Sequence, residues 1–259
     1  MKRLLSSLLM LAFFSTLYAG EPSADRRIFE IRIYHFTTAE QETILDNFLK
    51  NAYFPALHKQ GIKMVGAYKP LANDTAKNKR LYVFIPYKSI RDFEQTGDKL
   101  NKDKALAEAG AEYINAPYNK PVYTRMEKIL TRAFEGMPSY AKPNLTGNKA
   151  DHVYELRSYE GHTEKIYLNK VEMFNKGDEI GLFARLGFNA VFYSEVISGA
   201  TMPNLMYMTS FNNMKERDEH WKAFSADEQW KKLSADPRYQ RNVSKNVTLF
   251  LRPTEYSEL

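Results

Sequence analysis

"DHVYELRSYEG" (151–161) can be laid on "RRIFEIRIYHF" (26–36) so that Glu30, Arg32 and Tyr34 fall on Glu155, Arg157 and Tyr159. The same offset persists to within a residue or so: "QGIKMVGAY" (60–68) falls on "LGFNAVFYS" (186–194), with Gly61 on Gly187. "RLYVFIPYKSI" (80–90) likewise follows the pattern of "NLMYMTSFNNM" (204–214). A register kept over this span is the mark of a duplicated unit. Between the copies, "EGMPSYAKPNLTGNKA" (135–150) is rich in Gly, Pro, Asn and Ser and reads as a linker. Two similar domains are expected, 25–134 and 151–259.

Each half reads strand, helix, strand, strand, helix, strand. In the second, "HVYELRSY" alternates as a strand, and "GHTEKIYLNKVEMFNKGDEIGLFARLG" is expected to be helical as far as Gly187. "FNAVFYSEVI" and "NLMYMTSF" form a strand pair joined by a Gly/Pro/Asn turn. The stretch "ERDEHWKAF" (216–224) lies in a helix, a further helical piece follows around "DEQWKKLSA", and "SKNVTLFLR" is the last strand. That order is ferredoxin-like. Its sheet has helices on one face and needs a cover on the other, which the sister half can supply. The expected fold is therefore α+β, with two tandem ferredoxin-like repeats forming a pseudo-dimeric α+β barrel.

The first residues, "MKRLLSSLLMLAFFSTLYAG", place Lys2 and Arg3 before an apolar run that ends in small residues, the layout of a signal peptide spanning 1–20. The run is too short for a stable anchor and no second one follows, so the sequence predicts an exported chain, periplasmic or extracellular, with no integral membrane segment after cleavage. There are no cysteines, hence no disulfide framework, and stability must come from a packed core. The net charge of +6 falls to +4 without Lys2 and Arg3. Positive charge is scattered rather than gathered into a stripe, which argues against nucleic-acid binding.

"YELRSY", "FARLGFNAVFYSEVISG", "MPNLMYMTSFNNMKERDEHWKAF" and the closing "LRPTEYS" resemble the NIPSNAP proteins, most specifically over 152–259. The first half keeps the strand pattern and "FEIRIYHF" but has no counterpart of "ERDEHWKAF". The resemblance implies a dimeric α+β barrel and hands over no reaction. Eukaryotic members are linked to mitochondria and membrane traffic, a setting from which the signal-like start departs.

At 100° per residue, Met214, Arg217, Trp221 and Phe224 fall on one helical stripe, with Asn213 and Glu216 placed as a capping box. An arginine turned toward a core must be paired. Arg217 is expected either to bridge an internal carboxylate or to meet an anionic ligand in a sheet–helix cleft flanked by Trp221 and Tyr207. His220 beside it reads as a hydrogen-bonded edge residue. On the strands, alternation separates Glu30, Arg32, Tyr34 and Glu155, Arg157, Tyr159 from the apolar Phe29, Ile31, Ile33 and Tyr154, Leu156. The polar set is expected to face the other sheet. There it would form a four-membered network of Glu30, Arg32, Glu155 and Arg157, or a polar cavity in which Tyr34 and Tyr159 pair and a Glu acts as base.

The candidate ligand-binding residues are thus Arg217, His220, Trp221, Tyr207, Glu155, Arg157, Tyr159 and Tyr34. Histidines 35, 58, 152, 162 and 220 lack metal-ligand spacing, so no metal is expected. No Gly-x-Ser-x-Gly elbow and no phosphate loop is present, and no cofactor is expected. The sequence favours a protein that binds a small anionic or aromatic molecule between sheet and helices. A cofactor-free oxygenase-like enzyme and a protein-interaction module are the alternatives, and a homo-oligomer is compatible with either.

Overall fold

Eight strands form: β1 (Ile28–Phe36), β2 (Gly66–Pro70), β3 (Lys79–Tyr87), β4 (Arg125–Ala133), β5 (Val153–Glu160), β6 (Asn189–Ser198), β7 (Asn204–Phe211) and β8 (Lys245–Pro253), of which all but β4 fall on stretches expected from the sequence. The computed structural model describes residues 25–259, and the expected signal peptide lies outside them. The eight strands close into one barrel in the order β1-β3-β2-β8-β5-β7-β6-β4. The order β4-β1-β3-β2 in the first half recurs as β8-β5-β7-β6 in the second, antiparallel throughout.

Two short seams join the halves. Tyr68–Pro70 pairs with Leu251–Pro253, and Leu130–Ala133 pairs with Ser194–Ser198 around a bulge. Polar contacts, half-buried for the most part, bridge both seams. Glu195 receives Arg26 at 2.9 Å and Arg132 at 3.0 Å, while Asp46 receives Lys69 and the Tyr256 hydroxyl, each at 2.6 Å.

The helices lie outside the barrel. In the first half α1 (Ala39–Phe48), opened by a Thr38/Gln41 capping box, runs through a wide turn at 49–53 into α2 (Phe54–Lys59). Then come α3 (Ile90–Leu100), α4 (Lys104–Ala109) and α5 (Ala111–Ile114). The second half carries α6 (Glu164–Asn175), α7 (Glu179–Arg185), α8 (Met214–Ala226) and α9 (Glu228–Ala235).

The single helix expected over 161–187 is two. It breaks at Gly177 and Asp178, the latter in the left-handed region at φ 59°. Glycine is the weakest helix former after proline, and a Cβ at 177 would collide with the Met173 carbonyl. Gly187, at φ +76°, ends α7 as anticipated.

The two faces of β1 and β5 are inverted relative to expectation. Phe29, Ile31 and Ile33 fill the barrel interior with Tyr154, Leu156, Phe84, Phe192 and Met208. Phe29 and Phe84 of one half reach Phe192 of the other at 5.5 and 4.9 Å. Glu30, Arg32, Tyr34 and Glu155, Arg157, Tyr159 instead face their own helices. Both strand faces are buried, so alternation separates the two sets without saying which goes inward. The interior core is built of largely apolar side chains from all eight strands, with the hydroxyls of Tyr68, Tyr82 and Tyr154 among them. The helices can bring partners, and they do. The four-membered Glu30–Arg32–Glu155–Arg157 network therefore does not form, nor do Tyr34 and Tyr159 meet.

Candidate functional site

Glu155 is fully buried and accepts four hydrogen bonds from side chains. Arg157 Nε donates to Oε1 at 2.5 Å, Arg217 Nε to Oε2 at 2.7 Å, Arg217 Nη2 to Oε1 at 3.1 Å, and Trp221 Nε1 to Oε2 at 2.8 Å. The local sequence aims these donors. The Asn213 side chain accepts the Glu216 amide at 2.9 Å and starts α8, so that Arg217 and, one turn on, Trp221 face β5. With all its lone-pair sites engaged, Glu155 is a structural anion rather than a free base.

Arg157 bridges this anchor to a cleft. Its guanidinium lies 3.9 Å from the Trp221 ring centre, and its Nη1 donates to the Tyr159 hydroxyl at 3.0 Å. Burial works against the Arg157 charge, yet Tyr207, Tyr159 and Glu155 more than offset it and raise its pKa. Tyr159 in turn shares a 2.8 Å hydrogen bond with Tyr207. Burial, followed by Tyr159, pushes the Tyr207 pKa well above the ordinary phenol value.

The cleft, about 280 Å³, lies between this strand face and the helices, bounded by Arg157, Tyr159, Lys170, Glu179, Trp221 and Trp230, with Phe224, Val243 and Asn246 completing the wall. Lys170 of α6 is buried, pairs with Glu179 at 2.8 Å, and stands 4.7 Å from the Phe174 ring centre. Glu179 is placed by the break at Gly177 and Asp178, which turns the first residue of α7 back toward α6. Of the charged residues that line the cleft two are cations, Arg157 and Lys170, and one is a carboxylate, Glu179, while Arg217 behind them is shared between Glu155 and Asp218, the latter at 2.9 Å.

Of the residues singled out in the sequence, Arg157, Tyr159 and Trp221 line the cleft, with Glu155 and Arg217 behind them. Tyr207 lies beneath Tyr159 and does not flank Arg217, which packs instead on Phe250 and Trp221. Tyr34 belongs to the other half. His220 sits against Phe188 and Phe211 with its Nδ1 2.8 Å from the Glu216 carbonyl, outside the cleft wall.

Sequence reasoning missed Lys170, Glu179 and Trp230. Lys170 was visible in principle, since it lies among Tyr167, Met173 and Phe174 on the buried stripe of α6.

The equivalent space in the first half is filled. Glu30 is held by Arg32 at 2.8 Å and by the Tyr87 hydroxyl at 3.0 Å, with no helix-borne arginine. Phe93 and Gly97 stand on α3 where α8 has Arg217 and Trp221. Arg32 packs on Tyr53 instead, and Tyr113 stacks on Phe48 at 3.8 Å over Tyr34. A larger cavity of about 480 Å³ opens beside Lys63, Lys142, Lys149 and His152. Lys63 and Lys142 are exposed there, and Lys149 is spent on the Glu255 and Ser257 carbonyls, so the smaller cleft is the better-built site.

Among the described residues, no group of three or more His, Asp or Glu is placed to hold a metal, and no helix is long and apolar enough to cross a membrane.

The class of protein is set by these features: an α+β barrel closed by eight strands within one chain. The NIPSNAP family model matches residues 154–258, the half that carries the cleft. No curated protein matches the chain. A candidate monooxygenase from Lactobacillus acidophilus is similar over 88% of this chain and 94% of its own, at 12% identity and a TM-score of 0.58. A candidate monooxygenase from Fusobacterium nucleatum covers 88% and 92% at 9% identity and a TM-score of 0.55. An anthrone oxidase-like protein covers 90% and 93% at 11% identity and a TM-score of 0.50. These likenesses describe the fold.

Proposed function

We propose that the protein is an oxygenase-like enzyme of the α+β-barrel type that takes a small anionic or aromatic molecule into the cleft of its second half. The observation that carries this reading is the cleft itself, where two cations, Arg157 and Lys170, one carboxylate, Glu179, and two indoles line a space suited to a small, flat anion. The names of the three structural neighbours support the oxidative part, although a fold alone does not confer a reaction. An electron-rich phenol or enol held as its anion is the kind of substrate that can react with O₂ directly. The repeated strand order supports two tandem ferredoxin-like halves, 25–134 and 151–259, joined by 135–150. The Lys2–Arg3 start and the apolar run after it support export.

The test has two stages. Native against denaturing mass spectrometry of protein purified from its own host is expected to show a small mass that leaves on unfolding. Oxygen uptake is then measured with that molecule and with a panel of phenols and enols. Saturable uptake, lost in Arg157→Met, supports the enzyme. A retained mass without uptake would leave a binding protein, and neither signal would overturn both readings.

A further inference from the structure

Resting on the reading of the cleft as a small-anion site, we infer that the Tyr159 hydroxyl is the donor that receives the ligand's oxyanion, and that the ligand class is a phenol bound as its phenolate. Hydrogen-bond directions around the Tyr159 oxygen assign its proton. Arg157 Nη1 lies 3.0 Å from the Tyr159 oxygen, and a guanidinium can only donate. One lone pair of Tyr159 is thereby taken. Tyr207 is fully buried, and its hydroxyl has Tyr159, at 2.8 Å, as its hydrogen-bond partner among the described residues.

Were Tyr159 to give its proton to Tyr207, the Tyr207 proton would be left buried without an acceptor, the costlier arrangement. Tyr207 therefore donates to Tyr159. With two donors directed into its oxygen, Tyr159 keeps its own O–H for the third direction, and Tyr159 lines the cleft. Donors in series polarise one another, so this O–H is a strengthened donor awaiting an acceptor.

Trp221 and Trp230 supply the surfaces for a flat ring, and a space of about 280 Å³ suits a molecule of one or two rings. The first half lacks the device. Val83 stands opposite Arg32 where Tyr207 stands opposite Arg157, and Tyr113 occupies the space above Tyr34. One ligand per chain follows.

The test uses 4-nitrophenol, whose ionised form is read by its absorbance, titrated with the full mature chain. Wild-type protein is expected to bind one equivalent as the phenolate and to lower the apparent ionisation pH of the bound probe by about one unit, a roughly tenfold preference for the anion. Tyr159→Phe is expected to lose that shift and weaken binding about tenfold. Tyr207→Phe is expected to weaken binding and reduce the shift, because the polarising donor is gone. Tyr113→Phe, in the filled half, is the control and leaves both unchanged.

Tighter binding in Tyr207→Phe would mean the proton had run the other way and would overturn the inference, as would an unchanged Tyr159→Phe. Circular dichroism of each variant verifies the fold. Failure of wild-type protein to bind the probe would remove the phenol reading of the cleft itself, whereas binding that is insensitive to Tyr159 would remove only the donor assignment.

Discussion

The guanidinium of Arg157 lies 3.9 Å from the ring centre of Trp221, and both residues donate to the same carboxylate, that of Glu155. The stack joins a buried structural anion to the wall of the cleft. One residue pair therefore serves stability on one side and ligand on the other, and the consequences can be separated by mutation.

Glu155→Ala is expected to cost about 3–5 kcal/mol, because Arg157 is left mostly buried without its carboxylate and Arg217 keeps only the exposed Asp218. Arg217→Ala should cost less, about 1–3 kcal/mol, since Glu155 keeps Arg157 and Trp221. Urea midpoints measure both. A larger loss in Arg217→Ala than in Glu155→Ala would contradict the arrangement.

Trp221→Phe removes the indole N–H from Glu155 and keeps an aromatic face for Arg157. The loss is expected at about 1.5–3 kcal/mol, as for a hydrogen bond to a charged group. Trp221→Leu should cost about 0.5–2 kcal/mol more through the lost cation–π contact. Equal stability of the two variants would argue that the stack contributes nothing.

Gly187 adopts φ +76°, and a Cβ there would lie 3.1 Å from His220 Nε2. Gly187→Ala is expected to lose about 1–2 kcal/mol from the left-handed backbone, plus a term for displacing His220. Combining it with His220→Ala should recover that second term. Strict additivity in the double-mutant cycle would show that the two do not touch.

Burial holds Tyr53, Tyr68, Tyr193 and Tyr207 protonated well above the ordinary phenol range. Their folded pKa is raised, so the stability they contribute is complete below about pH 10, where the unfolded phenols also keep their protons. It is lost as pH rises beyond that, by about 1.4 kcal/mol per pH unit for each such tyrosine. Phenolate absorbance should show several of the 17 tyrosines ionising only on unfolding. Ordinary titration of all of them in the folded protein would disprove the burial.

The fold was legible because duplication leaves a register. Glu30–Arg32–Tyr34 on Glu155–Arg157–Tyr159, with Gly61 on Gly187, placed seven of the eight strands by residue, all but β4, and gave the α+β class of the barrel. The stripe of Arg217, Trp221 and Phe224 was legible for the same reason, since helical period is a local property. What alternation could not decide was direction, because both faces of β1 and β5 are buried. Only the tertiary structure showed that the apolar set fills the barrel while the charged set turns to the helices. The cleft is likewise a tertiary product. Lys170, Glu179 and Trp230 lie on three different helices, brought together by a break at Gly177 and Asp178 whose place in space depends on what packs around it.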